Sequence, residues 1–462
     1  MARNAIILAA GKGTRMKSKL YKVMHKVAGK PMVGHVVDQL RDAGIDNVIT
    51  VVGVGARTVK DYVGDRSQYV LQEEQLGTAH AVLQAEELLR DVDGTTLVIS
   101  GDSPMFRSET IESGFDYHET QDAKATVITS ILEEPFGYGR IIRNESGDVT
   151  RIVEEKDASE EERAAKEINT GTYFFDNKAL FKALQEVGND NNQGEYYLPD
   201  VVGILRQRGE VVAGYVLEDE IEAIGVNDRV ALSQAEALMR ARINTEHMKN
   251  GVTFIDPENT YIEADVEIGS DTIIEPNVVI RSGSKIGSEV TLTSGTVIED
   301  SIIGDGSVIT SSTIEASVLK KAVTVGPDSH IRPNSTLEDG VHIGNFVEVK
   351  SSTLGKNTKA GHLTYIGNAE VGEEVNFGAG SITVNYDGKH KSTTVIGDRA
   401  FIGCNVNLVA PVELAADSFV GAGSTITKNV PTDDLAIERG EEKLIKGYVS
   451  KMRKRFAEED NN

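Results

Sequence analysis

The sequence predicts two different folds in succession: an α/β domain, Rossmann-like with a mostly parallel sheet, followed by a parallel β-helix of hexapeptide repeats. Three observations carry this. Apolar β-branched runs alternate with helical patterns up to about residue 228; beyond Gly251 aliphatic residues recur every six positions; and the chain has no Trp, 5% aromatic residues and 45 Gly, so one region must build a core without bulky rings. At 462 residues the length suits about three domains or two large ones.

The elements of the first half follow in order. Residues 5–10 read as a buried strand, and Met32, Val33, Val36, Val37 and Leu40 fall at helical spacing before Gly44, a C-terminal cap. Residues 47–52 form a second strand, 78–90 an amphipathic helix and 96–100 a third strand, the alternation of crossover units and a parallel sheet. Residues 140–143 and 149–153, joined by Glu145-Ser146-Gly147-Asp148, predict a hairpin added to that sheet, and 159–167 a solvated helix. A polar helix over 228–250, ended by Gly251, reads as a connector. The expected domains are therefore 1–228 and 251–462, with 229–250 as the linker helix.

In the second half Ile262, Ile268, Ile274, Ile280, Ile286, Leu292 and Ile298 set the six-residue step. After a slip it resumes at Val325, Ile331, Leu337, Ile343 and Val349, and again from Ile396 to Ile426. Neither a 3.6 nor a 2.0 period produces this; coils with three short faces, aliphatic side chains inward and small residues at the corners, do. Residues 384–394, VNYDGKHKSTT, break the rhythm as a projecting loop. The period ends after Thr432, and the basic helical segment 444–456 reads as a cap on the end of the solenoid.

Composition excludes several classes. Lys and Arg number 48 against 72 Asp and Glu, a net charge of −24, which argues against a nucleic-acid partner while leaving room for a local basic pocket. The single cysteine, Cys404, allows no intramolecular disulfide and no thiolate-built zinc site, and points to the cytoplasm. The N-terminal run MARNAIILAAGKGTRM lacks a signal-cleavage pattern, and no apolar stretch reaches the roughly 20 residues of a membrane span, so no membrane insertion is expected.

The first strand runs into Leu8-Ala9-Ala10-Gly11-Lys12-Gly13-Thr14-Arg15-Met16. A glycine turn after a strand lets backbone N–H groups close on phosphate oxygens, and Arg15 adds a charged fork. Met16 stands where a Rossmann fingerprint needs its third Gly, and the P-loop Gly-Lys-Ser/Thr is absent, so this is a different phosphate loop. Lys22, Gln72, Gln75-Leu76-Gly77-Thr78 and Ser100-Gly101-Asp102 accompany it. A carboxylate such as Asp102 at the C-terminal end of a parallel strand suits magnesium on a phosphate chain.

Residues 8–16 with Lys22 resemble the signature of sugar-1-phosphate nucleotidylyltransferases. With Gln72, Gly77-Thr78, Gly137-Tyr138-Gly139-Arg140, Val153-Glu154-Glu155-Lys156-Asp157, Ile168-Asn169-Thr170-Gly171 and Gly225-Val226-Asn227, the resemblance narrows. It is to the bifunctional bacterial N-acetylglucosamine-1-phosphate uridylyltransferase / glucosamine-1-phosphate N-acetyltransferase family, over essentially the whole chain. Tyr21 stands where the family commonly has Pro.

The resemblance implies a nucleotidyltransferase domain and a left-handed β-helix. For the first it implies backbone contacts to UTP from Leu8, Ala9, Ala10 and Gly11, uracil reading by Gln72, Gly77 and Thr78, and sugar binding by Gly139, Glu154 and Asn169. It further implies magnesium on Asp102 and Asn227, with Arg15 and Lys22 as the catalytic cations.

In the second half one histidine, His362, lies in a dense polar run, with Arg332, Lys350, Tyr365, Asn376, Asn385, Tyr386 and Lys391 at positions that stacked coils can bring close. Three basic side chains suit a phosphate on an acceptor. The cluster matches the family's acetyltransferase site, which implies His362 as general base, Arg332, Lys350, Tyr365, Asn376 and Lys391 on glucosamine-1-phosphate, and Ala379, Asn385, Tyr386, Cys404, Ala422 and Arg439 on acetyl-CoA. It implies a homotrimer as well. Cys404 also admits an acetyl-cysteine route, set behind a lining role because no base flanks it in sequence. Two other readings explain less: a nucleotidylyltransferase for another base with a regulatory β-helix leaves His362 and the 384–394 loop without a role, and a noncatalytic scaffold leaves Arg15, Lys22 and Asp102 without one.

Overall fold

The first apolar run becomes strand β1 (Ala2–Ala9), with Ala5, Ile6 and Ile7 fully buried, as a central strand covered on both faces requires. The structure, a computed structural model, describes residues 2–53 and 55–459. They divide into two units, Met1–Ile243 and Asn244–Asn462.

Helix α1 (Met32–Asp42) turns Val33, Val36, Val37 and Leu40 inward, and Gly44 at φ 71° closes it with an N–H bond to the Arg41 carbonyl at 2.9 Å. Then come β2 (Asn47–Gly53), β3 (Gln68–Gln72), α2 (Thr78–Leu83), β4 (Gly94–Ser100), α3 (Ser108–Thr120), β5 (Ala125–Ile131), β6 (Gly139–Arg143), β7 (Val149–Val153), β8 (Glu167–Asp176), α4 (Asn177–Leu184), α5 (Asp200–Gln207) and β9 (Val212–Val216). The main sheet has the order β9-β5-β8-β4-β1-β2-β3. β1 is parallel to β2 and β4, β8 runs antiparallel between β4 and β5, and the β6–β7 hairpin hooks onto β8. Apolar residues of α1 and α3 fill one face of the sheet, and those of α4 and α5 the other.

Two expectations need correction in this unit. The helix expected over 78–90 is broken: α2 stops at Leu83, where Gln84 and Ala85 bond three residues back, and a separate turn forms at Glu86–Leu89. The helix expected over 159–167 is only Glu160–Arg163, nucleated by a capping box between Ser159 and Glu162, and Glu167 already begins β8.

Helix α6 (Arg229–Lys249) crosses the division, and Gly251 follows it at φ 92°. The second unit is a left-handed parallel β-helix of three parallel sheets with 11, 10 and 9 short strands. Successive coils pair Ile274 with Leu292, 18 residues on, and Val349 with Ile366, 17 on, which accounts for the slips in the period. Ile274, Ile280, Leu292 and Ile298 are fully buried, whereas Ile268 in the first coil is only half-buried. Corners turn through one left-handed residue each, as at Asp271, Asn277, Gly283, Glu289 and Gly295, types that mostly tolerate that backbone. Buried hydroxyls behind them hold carbonyls of the next coil, as Ser329 Oγ does on Gly344 at 2.6 Å.

The inserted segment leaves the coil after Val384, makes an antiparallel bridge between Tyr386 and Lys391, and rejoins when Thr394 pairs with Ala369. The C-terminal segment does not cap the solenoid. Helix α7 (Tyr448–Glu459) buries no residue; the column is closed instead by Val430 over Leu414 and by Leu435–Ala436 beside Phe419–Val420. Among the described residues no helix is long and apolar enough to cross a membrane.

Candidate functional site

In the first unit the loop after β1 doubles back on Lys22: Gly13 has φ 60°, and a Cβ there would stand 2.6 Å from the Lys22 Cβ. Lys22 pairs with the Asp102 carboxylate and donates to Asn227 Oδ1 at 3.2 Å, an oxygen that also accepts from Arg15 at 2.9 Å. Ser100 donates to the same buried carboxylate, and the Val226 N–H bonds the Asp102 carbonyl at 3.0 Å, bringing the irregular segment that carries Asn227 to the end of β4. Four residues expected from distant segments, Arg15, Lys22, Asp102 and Asn227, therefore meet.

Beside them lies a cleft of about 210 Å³ lined by Leu8, Ala10, Gly11, Gln72, Gly77 and Thr78. Ala9 is buried beneath it. Gln72 ends β3 with its amide nitrogen on the Gly77 carbonyl at 3.1 Å. Gly77 takes φ 122°, and a Cβ there would sit 2.4 Å from the Tyr196 carbonyl oxygen, so only glycine fits. Thr78 Oγ1 accepts from the Leu198 N–H at 3.0 Å.

The sugar set sits on the hairpin side. Gly139 pairs with Asn169 across β6 and β8, and Glu154 Oε1 lies 3.2 Å from where a Gly139 Cβ would stand. Burial lifts the Glu154 carboxyl above its ordinary range, with Asp157 and Asp200 adding to the rise. Asn169 is fixed at both ends, donating to Tyr173 Oη at 2.6 Å and accepting from the Gly171 N–H at 3.1 Å. Tyr173 and Asp200 lie outside every motif of the sequence; each acts through a partner, Asn169 for the first and Glu154 for the second.

Asp102 and Asn227 pass a test of donor chemistry for magnesium. Both present oxygens, and those oxygens converge on one cation already, the Lys22 ammonium. No cluster of three His, Cys, Asp or Glu side chains suited to a metal occurs among the described residues, so other oxygens would have to complete the shell.

In the second unit the pairing of Asn345 with His362 places them on successive coils, and His362 Nδ1 lies 3.2 Å from Asn345 Oδ1. The registers of Ala360 with Phe377, Phe377 with Ile402 and Ile402 with Val420 carry the same corner on through Ala379, Cys404 and Ala422. Arg439 ends the line, its Cδ 3.8 Å from where a Gly423 Cβ would stand.

On the adjoining face Arg332 donates to Glu348 at 2.7 Å, and Glu348 pairs with Tyr365. Lys350 is held below its ordinary range by Lys391 and then by Arg332, so three cations crowd together on an acidic protein, an arrangement suited to a phosphate. Asn385 bonds Asn368 at 2.7 Å and reaches Tyr365 Oη at 3.5 Å. Two expected residues stand apart: Tyr386 bonds within its own loop, to Gly388, and Asn376 lies half-buried between Lys359 and Phe401 in the ladder. Asn345, Glu348 and Asn368 were missed. Each stands 17 residues before an expected residue, and that coil length was the available signal.

Known proteins resemble the chain throughout. The nucleotidyl transferase family matches residues 4–228, the GlmU-like C-terminal hexapeptide family 291–383, and the bacterial transferase hexapeptide (six repeats) family 265–300 and 393–428. The bifunctional protein GlmU of Listeria monocytogenes serotype 4b (strain CLIP80459) is 54% identical over 450 residues, covering 97% of this chain and 98% of that protein. Those of Halalkalibacterium halodurans and Geobacillus sp. (strain WCH70) are each 56% identical over 97% of this chain, covering 99% and 98% of their own lengths.

Proposed function

The chain belongs to the GlmU family of bifunctional proteins, and on that premise we propose that its two units carry consecutive reactions on one amino sugar. The second unit acetylates glucosamine-1-phosphate. The first transfers UMP from UTP to N-acetylglucosamine-1-phosphate, giving UDP-N-acetylglucosamine, a cell-wall precursor, and pyrophosphate.

The observation that carries the uridylyl site is the convergence of Arg15 and Lys22 on Asn227 beside Asp102. The attacking sugar phosphate is already an anion, so no general base is required. Catalysis reduces to alignment and charge neutralisation, with Arg15 and Lys22 on the phosphates. Asp102 and Asn227 would hold magnesium, which when bound supplies further positive charge to the phosphate chain. Leu8 to Gly11 offer backbone to the nucleotide; Gln72, Gly77 and Thr78 read the uracil; Gly139, Glu154 and Asn169 hold the sugar.

In the second unit Arg332, Lys350 and Lys391 hold the acceptor phosphate and Tyr365 its sugar; Asn376, which stands apart within one chain, reaches that sugar across a seam between subunits. His362 accepts the proton that the amine loses as it attacks the acetyl-CoA carbonyl; the adduct then breaks its C–S bond, and the departing coenzyme A sulfur takes up that proton as the amide forms. The amine must arrive unprotonated, which suits a neutral imidazole. An N–H at Ala379 supports the oxyanion; Asn385, Cys404, Ala422 and Arg439 line the donor, and Tyr386 joins them from the projecting loop only when a donor is bound.

The assembly is a homotrimer packed through the solenoids. Supporting this is an exposed apolar strip on one sheet, where Phe401 and Phe419 stack at 4.5 Å and Leu435 follows. A free thiol and no disulfide partner suit the cytoplasm.

The test is incubation with glucosamine-1-phosphate, acetyl-CoA, UTP and magnesium, following coenzyme A, pyrophosphate and UDP-N-acetylglucosamine separately. Formation of all three supports the reading. Preference for another nucleotide triphosphate, or absence of coenzyme A release, overturns it.

A further inference from the structure

The corner that carries His362 contains an anomaly. Its turning residues, coil by coil, include Asp328, Phe346, Leu363, Gly380, Asn405 and Gly423, all with φ between 41° and 78°. They stack through bonds from the Leu363 N–H to the Asn345 carbonyl at 3.1 Å and from the Gly380 N–H to the Leu363 carbonyl at 2.9 Å. Gly, Asn and Asp adopt this backbone at little cost; a large side chain does not. Among the described residues Phe346 and Leu363 are the only large apolar side chains in left-handed backbone, and they are neighbours.

Burial within the chain does not compensate for the strain. Phe346 is 57% exposed and Leu363 64% exposed. The corner needs a left-handed residue but not a large apolar one, and an outlier of this kind marks a site where something else uses the side chain. Each directly follows one member of the hydrogen-bonded pair Asn345 and His362, and the next coil presents the small residues Ala379 and Gly380 at the same corner.

We propose that Phe346 and Leu363 form the apolar wall against which the acyl end of the thioester donor packs, so that they set donor affinity for acetyl transfer. This rests on the reading of His362 as the acetyl-transfer base. Of the two substrates, the acceptor is hydroxylated and charged, and the cations suited to its phosphate lie past the next turn of the coil, around Lys350. The acyl methyl and thioester carbons are the groups that gain from an apolar surface. The corner continues from the wall through Ala379, Cys404 and Ala422, the line assigned to the donor.

Leu363→Asn, Leu363→Gly and Phe346→Asn in the full-length assembly separate this role from packing. The expected result is a Tm unchanged or raised by a few degrees, because the backbone strain is relieved. The KM for acetyl-CoA rises about tenfold, the KM for glucosamine-1-phosphate stays within about twofold, and uridylyl transfer is unaffected. Calorimetry should show a larger loss of affinity for acetyl-CoA than for coenzyme A. An unchanged acetyl-CoA KM overturns the proposal. So does a fall in Tm or in sedimentation coefficient, which would make the wall a packing or subunit contact. His362→Ala is measured alongside: if it leaves acetyl transfer intact, the site reading itself has failed; if it abolishes transfer while the wall variants are silent, only the wall has.

Discussion

The side-chain amide oxygen of Asn345 lies 3.2 Å from His362 Nδ1 and, as its acceptor, sets which imidazole nitrogen carries the proton. An amide oxygen only accepts, so Nδ1 donates and Nε2 keeps its lone pair, the form a general base needs. Asn345→Ala is therefore expected to lower kcat for acetyl transfer roughly tenfold, part of the about 10²–10⁴-fold that a positioned base supplies. KM for both substrates should change little, and Asn345→Asp, which retains an acceptor, should recover much of the loss. A fall confined to KM would show that Asn345 binds substrate and does not orient the base.

The two activities should separate cleanly by mutation. Asp102 meets Lys22 in the first unit, and His362 meets Asn345 in the second. Asp102→Ala should cost uridylyl transfer at least about 10²-fold and spare acetyl transfer; His362→Ala should do the reverse. Separate assays of coenzyme A and pyrophosphate release check this, and equal loss of both in a folded single mutant contradicts it.

Gly77→Ala should damage both stability and nucleotide binding. The new Cβ would meet the Tyr196 carbonyl oxygen at 2.4 Å and its nitrogen at 2.7 Å, at a φ of 122° that no side chain favours. The clash is with backbone, so relief requires moving the loop that holds Gln72 and Thr78. A loss of about 2–4 kcal/mol is expected for strain and displacement of this kind, read as a lower first thermal transition, together with a higher KM for UTP.

Glu154 should trade stability for function in a pH-dependent way. Burial raises its carboxyl above the ordinary 4.5, with Asp157 and Asp200 adding to the shift. A raised folded-state value means that its contribution to stability is fully present below about pH 4.5 and is lost as pH rises through the raised value, where the buried group ionises. Glu154→Gln is therefore expected to raise Tm at pH 7.5 with a difference that vanishes near pH 4, and to raise KM for N-acetylglucosamine-1-phosphate. A variant less stable than the parent at neutral pH would place an unseen favourable partner on the carboxylate.

What could be read from the sequence was what repeats or sits in one short motif. The step from Ile274 to Ile280 signals a buried aliphatic in each face of a coil, and strand–helix alternation signals the parallel sheet around β1. The break at Gln84 and Ala85 carries no Gly or Pro to announce it; packing decides it. The tail helix was misread because a basic amphipathic stretch after an acidic solenoid looks like a cap, while Leu435–Ala436 and Val430 already occupy the end of the column. Phosphate-loop residues lie close in sequence and are visible there, but the link from Arg15 to Asn227 spans 212 residues and depends on how the turn after β1 meets the irregular segment before α6. Phe346 and Leu363 were invisible for another reason: their anomaly is one of backbone conformation, which composition does not display.

The same corner decides between direct transfer and a thiol intermediate. Cys404 is exposed, yet the residues above and below it are Ala422 and Ala379, neither of which can take a proton. His362 stands two coils away, roughly 10 Å at the usual strand spacing, too far to deprotonate the sulfur by direct contact. An unactivated thiol remains a poor nucleophile near neutral pH because the thiolate is the reacting form. Cys404→Ala is expected to retain most acetyltransferase activity, and mass spectrometry after exposure to acetyl-CoA alone should show no acetylated enzyme. Cys404→Trp should instead raise the acetyl-CoA KM strongly, because a large side chain in the middle of the corner would obstruct the donor. A Cys404 acetyl adduct that forms and decays as fast as turnover would reverse the argument and make the sulfur the first acceptor.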